Sequence, residues 1–519
     1  MPRTNAILLL LTAALALLCC RADVLRGRVL RYALRRVERS ALEPVQTDKL
    51  LSGMLDGMLR SVGDLPYSAF IPPEVEGAYE EAIQGRNVGI GIWLLGLQSK
   101  ELPVLWFVPM HDSPVEDAHL RFGDRIAGVD GKGFAGMSVQ QVVDLLAGAD
   151  GSEVVLSVID RQSLLDEEPA PPSEEDTSGG ENATEEDSSK EDDSKEDSSK
   201  EGDSDDGGLS DLKARYGSLM REVTVRRAVI QQDIVLGDRR DEKGNWDFTL
   251  EGHPNIGYVK IDQFTDATGP DFAAALGALD GRIEALILDL RGNPGGFLPA
   301  AVMVSNMFLN KGDLIVTTRE RGGKVRGEFK AEGGQKYLWP MVVLIDGGSA
   351  SASEIVSAAL SDHQRAALIG HRSYGKGTVQ QLFKRPCGMG TIRLTEASFW
   401  RPSGEPIHRR RDAAPEDQWG VTPDTTVGVS TKGYLAAGLY RRVRSLEEYA
   451  ERGALLTRLA ERRLAEDIEQ QEACCEIFED QVDEDAPMGK APFFDPVIDA
   501  AVEHLEKLLA ERPAAAPEL

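Results

Sequence analysis

Hydrophobic positions along the chain change their spacing several times, and each change predicts a different kind of element. Leu50, Leu51, Met54, Leu55, Met58 and Leu59 recur at helical spacing, and Pro66, Pro72 and Pro73 break the pattern after them, which predicts a helix and a loop within 41–83. From 88 to 160, short apolar runs (88–95, 105–108, 124–129, 154–159) alternate with Gly and Asp turns around one helical stretch, 138–146, so a compact β-rich module is expected there. After Ile256 the pattern becomes strand, helix, strand: runs at 257–264, 285–290, 341–345 and 366–369 are separated by helical patterns at 269–279, 297–308 and 351–363. That alternation predicts βαβ units around a partly parallel sheet, the largest core of the chain. Two charged helical patterns come last, 446–471 and 496–510, and the apolar stripe Val497, Ala501, Leu505 and Leu508 is expected to pack onto the core.

Composition narrows the function classes. The chain has 519 residues, 41% of them hydrophobic, enough for several buried cores, and a formal charge of −28 that disfavours nucleic acid and anionic membrane surfaces as primary partners. Much of that charge is local: 19 Asp and Glu against 3 Lys lie between Asp166 and Asp206. A stretch so poor in large apolar side chains cannot offset its ordering entropy, and a disordered loop between two strands is expected over 166–208. Asn182-Ala183-Thr184 within it matches the N-glycosylation triplet.

Cysteines stand at 19, 20, 387, 474 and 475, which fits neither a disulfide framework nor a paired metal motif. The seven histidines form no H-E-x-x-H pair, and His363 and His371 are expected to pack or to face solvent. No cofactor or metal is implied. At the N-terminus, Arg3, the apolar run from Ala6 to Leu18 and the small and polar residues after it describe a secretory signal over 1–22 better than a bilayer-spanning helix. An exported protein of the periplasm or cell envelope is expected, with lipid attachment at Cys19 or Cys20, a retained anchor and membrane association through the N-terminus left open.

Three segments carry chemistry. In 343–356 a buried strand runs through Gly347 and Gly348 into Ser349, Ser351 and Ser353 at the start of a helix, which sets a hydroxyl beside unpaired backbone N–H groups. Ser351-Ala-Ser-Glu354 also reads as a capping box, a purely structural role. In 373–381, Lys376 lies between two glycines, where backbone can approach another element closely. In 286–297, Asp289-Leu-Arg-Gly-Asn-Pro-Gly-Gly again continues a strand into a glycine turn, and Gly295 or Gly296 could offer a donor converging with that of Ala352.

These segments, in this order, resemble the carboxyl-terminal processing peptidases, or tail-specific proteases, whose patterns D-L-R-x-N-P-G-G, S-A-S-A-S-E and F-G-K-G-x-V-Q they match over a region of roughly 45–430. The resemblance implies a serine endopeptidase acting on proteins with unstructured C-termini. Ser351 would be its nucleophile, with Ser349 as second choice, Lys376 the general base and Gln380 the group orienting the lysine. Ala352 with Gly295 or Gly296 would bind the oxyanion. A lysine serves as base only as the neutral amine, and desolvation is the means of obtaining it near neutral pH.

It also implies an α/β fold: a mixed-sheet, crotonase-like protease core with an inserted PDZ domain and helical N- and C-terminal segments. The divisions are 1–22 signal, 23–87 helical segment, 88–165 PDZ domain, 166–208 acidic insertion, 209–430 protease core and 431–519 helical extension. Gly89, Ile90, Gly91 and Ile92 would form the loop that receives a chain-end carboxylate. The chain departs from the family at Ala147, where a basic residue usually precedes the glycine after the PDZ helix, at Asp64-Leu-Pro-Tyr67, and in its acidic insertion. A non-catalytic PDZ scaffold of the cell envelope is the alternative. Oligomerisation stays open.

Overall fold

The computed structural model describes residues 27–511 apart from 65–66, 84–85, 99–102, 167–205, 242, 385–389, 411, 415–416, 430, 447–448 and 471–494. The signal over 1–22, the five cysteines, the Asn182 triplet and all but the ends of the acidic insertion lie outside the described residues. The chain divides into a smaller unit (Met1–Glu80, Thr318–Gly327, Thr378–Phe399) and a larger one (Glu81–Thr317, Glu328–Gly377, Trp400–Leu519).

In the smaller unit the helical spacing forms the helix Thr47–Arg60, whose Leu59 is buried. Ala69–Ile71 and Thr378–Lys384 both pair antiparallel with the long strand Thr391–Trp400. Arg393 of that strand donates to the Tyr67 carbonyl at 2.8 Å and to the Tyr79 hydroxyl at 3.1 Å, which ties the loop after the helix to the sheet.

Among the described residues the larger unit holds two large sheets, beside two small two-stranded ones. The first is the expected β module: antiparallel strands Ile92–Gln98, Val104–Pro109, Arg125–Val129, Glu153–Ile159 and Met220–Arg226, in that spatial order, with the helix Val139–Leu146. Leu105, Phe107, Ile126, Phe134, Val142 and Leu156 fill its core. The module does not stop at 165. Met220–Arg226, which the sequence reading places in the protease core, pairs along its whole length with Glu153–Ile159. The acidic insertion therefore joins two neighbouring strands of one sheet.

Arg227, the residue after that last strand, reaches across to the C-terminus of the helix Val139–Leu146. Its guanidinium donates to the carbonyls of Leu145 (3.1 Å), Leu146 (2.8 Å) and Glu153 (3.0 Å) and to the Ser152 hydroxyl (3.1 Å). Helix-end carbonyls lack partners of their own, and a buried cation is well suited to them. A Cβ on Gly148 would stand 2.7 Å from this guanidinium. Arg227 thereby ties the end of this helix to the segment that follows the last strand of the module.

The second sheet is parallel through His253–Ile261, Ala285–Asp289, Met341–Ile345, Ala367–Gly370 and Thr425–Thr426, with Val235–Leu236 antiparallel at its edge. The helices Thr268–Leu279, Leu298–Asn306 and Ala352–Asp362 connect its strands. Pleating sends Tyr258, Ile287, Val342, Leu344 and Ile369 to one face, where Val497, Ala501, Val502 and Leu505 of the helix Pro496–Glu511 cover them. Leu508 of the expected stripe remains 37% exposed.

The helices Thr431–Arg444 and Tyr449–Gln470 cover the β module instead. Leu439, Val443, Leu446, Leu456, Leu459 and Ala460 pack on Trp106, Val108 and Phe122. Every residue of Val104–Pro109 is consequently buried, with alternate side chains in the two cores.

Replacing Arg227 by Ala leaves four acceptors, one buried and three partly buried, without their charged donor. The expected cost is about 3 kcal/mol of unfolding free energy, read by urea denaturation, with partial recovery in Arg227→Lys, which keeps the charge but not the fork. An unchanged midpoint in the alanine variant would contradict this assignment.

Candidate active site

The strand Ala285–Asp289 delivers a fully buried carboxylate to the start of the glycine loop. Arg291 folds back on it, with Nε 3.0 Å from Asp289 Oδ1 and Nη2 2.6 Å from Oδ2, while Tyr258 donates its hydroxyl at 2.7 Å. The outer side of Arg291 meets Asp495, ahead of the last helix, at 2.9 Å, and Arg441 meets the same carboxylate at 2.7 Å. Burial by itself would raise the Asp289 carboxyl, but Arg291, Lys260 and Arg441 together hold it well below the usual range. A central strand, the loop after it and two C-terminal segments are thus held on one alternating chain of charges.

Beyond Arg291 the loop binds the serine turn. The Asn293 side chain donates to the Ile261 carbonyl at 2.8 Å and accepts from Gly295 N–H at 2.9 Å, while its own carbonyl accepts from Ala350 N–H and from the Ser353 hydroxyl, both at 3.0 Å. Gly295 has φ +95°, and a Cβ there would stand 2.6 Å from Ser351 Cβ and 2.8 Å from Ala352 N. Gly296 has φ +139°, and its Cβ would overlap the Phe264 carbonyl oxygen. Both glycines are required for close approach rather than for flexibility.

The three serines of the turn have different surroundings. Ser349 is fully buried and donates to the Leu290 carbonyl at 2.8 Å, and Ser353, also fully buried, is committed to Asn293. Ser351 keeps 9% exposure and sits at φ +56°, ψ −110°, outside the regions a side chain ordinarily adopts. Strain of this kind costs about 1–3 kcal/mol and persists only where surrounding contacts over-determine it. The helix Ala352–Asp362 begins immediately after it.

Glu354 supplies those contacts. It is fully buried, and its two carboxylate oxygens accept four hydrogen bonds. Oε2 receives the backbone N–H of Ser351 and that of Lys376, each at 2.8 Å. Oε1 receives the Ser373 hydroxyl and the Gly375 N–H, each at 2.6 Å. One oxygen atom therefore bridges the main chains of Ser351 and Lys376. The glycines around Lys376 explain themselves: a Cβ on Gly375, at φ +87°, would press on Arg409 and Trp419, and one on Gly377 would overlap His408 N. Burial pushes the Glu354 carboxyl up to about 7, against the downward pull of its four donors.

Sequence reasoning assigned Glu354 only the return half of a cap. The signal available was a lone acid inside an otherwise small and apolar helix start, Ser351-Ala-Ser-Glu-Ile-Val.

Gln380 lies on the strand Thr378–Lys384 of the smaller unit, where its Nε2 donates to Thr378 Oγ1 at 2.8 Å and Thr395 Oγ1 at 3.2 Å. Gly89 ends the strand Arg86–Gly89, which pairs antiparallel with Ala228–Gln231, and Ile90 and Gly91 lead from it to Ile92, the first residue of the β module's first strand. The Ile90 carbonyl accepts from Val115 N–H at 3.1 Å and that of Gly91 from Met110 N–H at 2.9 Å. Gly91, at φ +80°, has no room for a side chain against Ser113. His363 bonds the Leu314 carbonyl through Nε2 at 2.7 Å, a packing role as expected. A cavity of about 290 Å³ within the larger unit is bordered by Trp93 and Pro109 of the β module and by Lys260, Arg291, Gly292 and Asp346 beside the glycine loop.

The proton on Glu354 gives a test. The folded chain binds it as pH falls through about 7, whereas the ordinary value is 4.5, so the folded state is protonated first. The contribution of this group to stability is therefore expected to increase by about 3 kcal/mol as pH falls across that window. Over the same window the protonated carboxyl turns a hydroxyl toward N–H donors, and cleavage should fall. The stability difference between wild type and Glu354→Gln, measured across pH beside peptide turnover, should show these opposite trends. The Gln variant should be about a hundredfold slower throughout. Stability and turnover declining together would contradict the assignment.

Comparison with known proteins places this geometry in a family. The sequence profile of peptidase family S41 matches residues 255–427, which contain the three loops. The chain is 31% identical over 387 residues to a carboxy-terminal-processing protease of Bartonella bacilliformis, covering 73% of this chain and 70% of that protein. It is 28% identical over 382 residues to the carboxy-terminal processing protease CtpA of Bacillus subtilis, where the match spans 73% of this chain and 66% of the relative, just under two thirds of its length. Among solved structures, a photosystem II D1 C-terminal processing protease aligns with 76% of this chain and 86% of its own at 24% identity and a TM-score of 0.40. By its match to the Bartonella bacilliformis protein, together with the family profile, the chain belongs to the carboxy-terminal processing proteases of peptidase family S41.

Proposed function

We propose that this chain is an exported serine endopeptidase that cleaves proteins near unstructured C-terminal tails with a Ser351–Lys376 dyad. The observation that carries this reading is the shared carboxylate oxygen of Glu354, which holds the main chains of both residues at once. From adjoining backbones, a lysine side chain is long enough to meet a serine hydroxyl.

In this reading the neutral Lys376 amine takes the Ser351 proton as the hydroxyl oxygen attacks the scissile carbonyl. Negative charge then develops on the carbonyl oxygen. Ala352 N–H, at the first turn of its helix, and an N–H of the glycine loop stabilise it, with the helix dipole adding to the effect. Because Gly295 N–H is already bonded to Asn293, Gly296 is the loop's stronger candidate. The Lys376 ammonium protonates the departing amine, and water, deprotonated by the same lysine, releases the acyl group from Ser351. Gln380, its amide held by Thr378 and Thr395, is the residue to which the family resemblance gives the part of orienting the lysine.

The β module serves as the PDZ domain and the parallel-sheet core as the crotonase-like protease fold. Residues 89–92 receive the tail carboxylate, and the cavity beside Gly292 lies between that module and the glycine loop, on a route a tail can take.

Ser351→Ala and Lys376→Ala should each reduce cleavage of a tailed substrate by at least about a thousandfold with circular dichroism unchanged. Amidating the substrate's C-terminus should raise KM about tenfold and leave kcat in place. Retained cleavage in either variant would contradict the Ser351–Lys376 assignment, whereas a wild type that binds tails without cleaving them would make the chain a peptide-binding scaffold.

A further inference from the structure

The helix over residues 27–40 has two unlike faces. At about 100° per residue, Val29, Ala33, Val37, Leu30 and Leu34 fall on one arc of about 140°, and Arg28, Arg31, Arg35, Arg36 and Arg39 fall on the opposite side. The apolar arc is open: Val29 is 61%, Leu30 48% and Val37 41% exposed. Aliphatic side chains of this size on an open helix face call for an occupant.

Charge identifies it. The helix carries five Arg and one Glu, a net charge of +4, within a chain of −28. Two copies of this helix laid face to face would oppose +4 to +4, which disfavours self-association. A row of arginines flanking an aliphatic arc is instead the pattern of a helix lying in the plane of an anionic bilayer, its apolar side among the acyl chains and its guanidinium groups at the headgroups. The charge of the whole chain, which argues against anionic membranes, averages over this local reversal. We infer that residues 27–40 dock the protein onto anionic lipid surfaces as an interfacial helix. This stands apart from the catalytic reading and fails or holds independently of it.

The test uses the full chain in flotation with vesicles of phosphatidylcholine alone and of phosphatidylcholine with phosphatidylglycerol at 7:3. Binding should appear on the anionic vesicles only and weaken with salt. Arg31→Gln, Arg35→Gln and Arg39→Gln combined should lower partitioning about a hundredfold, at roughly fivefold for each charge. Leu30→Asp with Val37→Asp should abolish it. Cleavage of a soluble peptide should stay unchanged in both variants, which shows that they fold. The apolar run upstream is common to all three proteins, so equal binding by wild type and variants would assign the membrane contact to that run and overturn the inference. Equal binding to both vesicle types would overturn it too. So would absence of vesicle binding alongside a concentration-dependent dimer lost in the aspartate variant, which would give the face to a second copy.

Discussion

A buried carboxylate with four donors and no cation among the partners described for it is the constraint on which the site rests. Removing Glu354 from water opposes its charge, and hydrogen bonds from Ser351, Ser373, Gly375 and Lys376 offset that cost. Because the four donors come from two loops, neither loop can relax without leaving a charged acceptor poorly satisfied. That is how a strained backbone at Ser351 and a glycine-flanked lysine are kept in one arrangement. Preorganisation of this kind precedes substrate, which is what the proposed nucleophile and base require.

A second set of charges supports the glycine loop from behind. Asp289, Arg291, Asp495 and Arg441 alternate in sign and link a central strand, the loop and two C-terminal helices. The C-terminal extension is therefore part of the larger unit's architecture rather than an appendage. One of its helices covers the parallel sheet, and two others form the second core of the β module. Asp495 joins these two roles, since it pairs with Arg441 of the first helix and lies just ahead of the last.

How much of the fold and site was legible in the sequence depends on the range of the interactions. Strands such as Ala285–Asp289 and Met341–Ile345, buried on both faces, read as continuous apolar runs, and their helices were placed to within a few residues. The strand Met220–Arg226 was missed as a member of the β module because its charged residues blur the alternation and the acidic insertion separates it from its partner. Thr431–Arg444 fell within the expected helical extension but was not delimited as a helix of its own, since Gly433, Gly438 and its arginines dilute the apolar period that Leu439 and Val443 carry. Local motifs singled out Ser351, Lys376 and Gly295, which the structure brings into one neighbourhood. Glu354 was readable only as a cap, because the partners that give it meaning, Ser373, Gly375 and Lys376, lie 19 to 22 residues further on. Arg227, which caps the helix Val139–Leu146 from about 80 residues further along the chain, left no local trace at all.

Amide hydrogen exchange on the folded chain tests the central claim most directly, comparing wild type with Glu354→Ala in the segments 346–357 and 373–379. If one carboxylate holds both loops, the two segments should lose protection together and by similar factors, while the parallel strands beneath keep theirs. Loss of protection confined to the serine turn, with the lysine loop unchanged, would contradict the account.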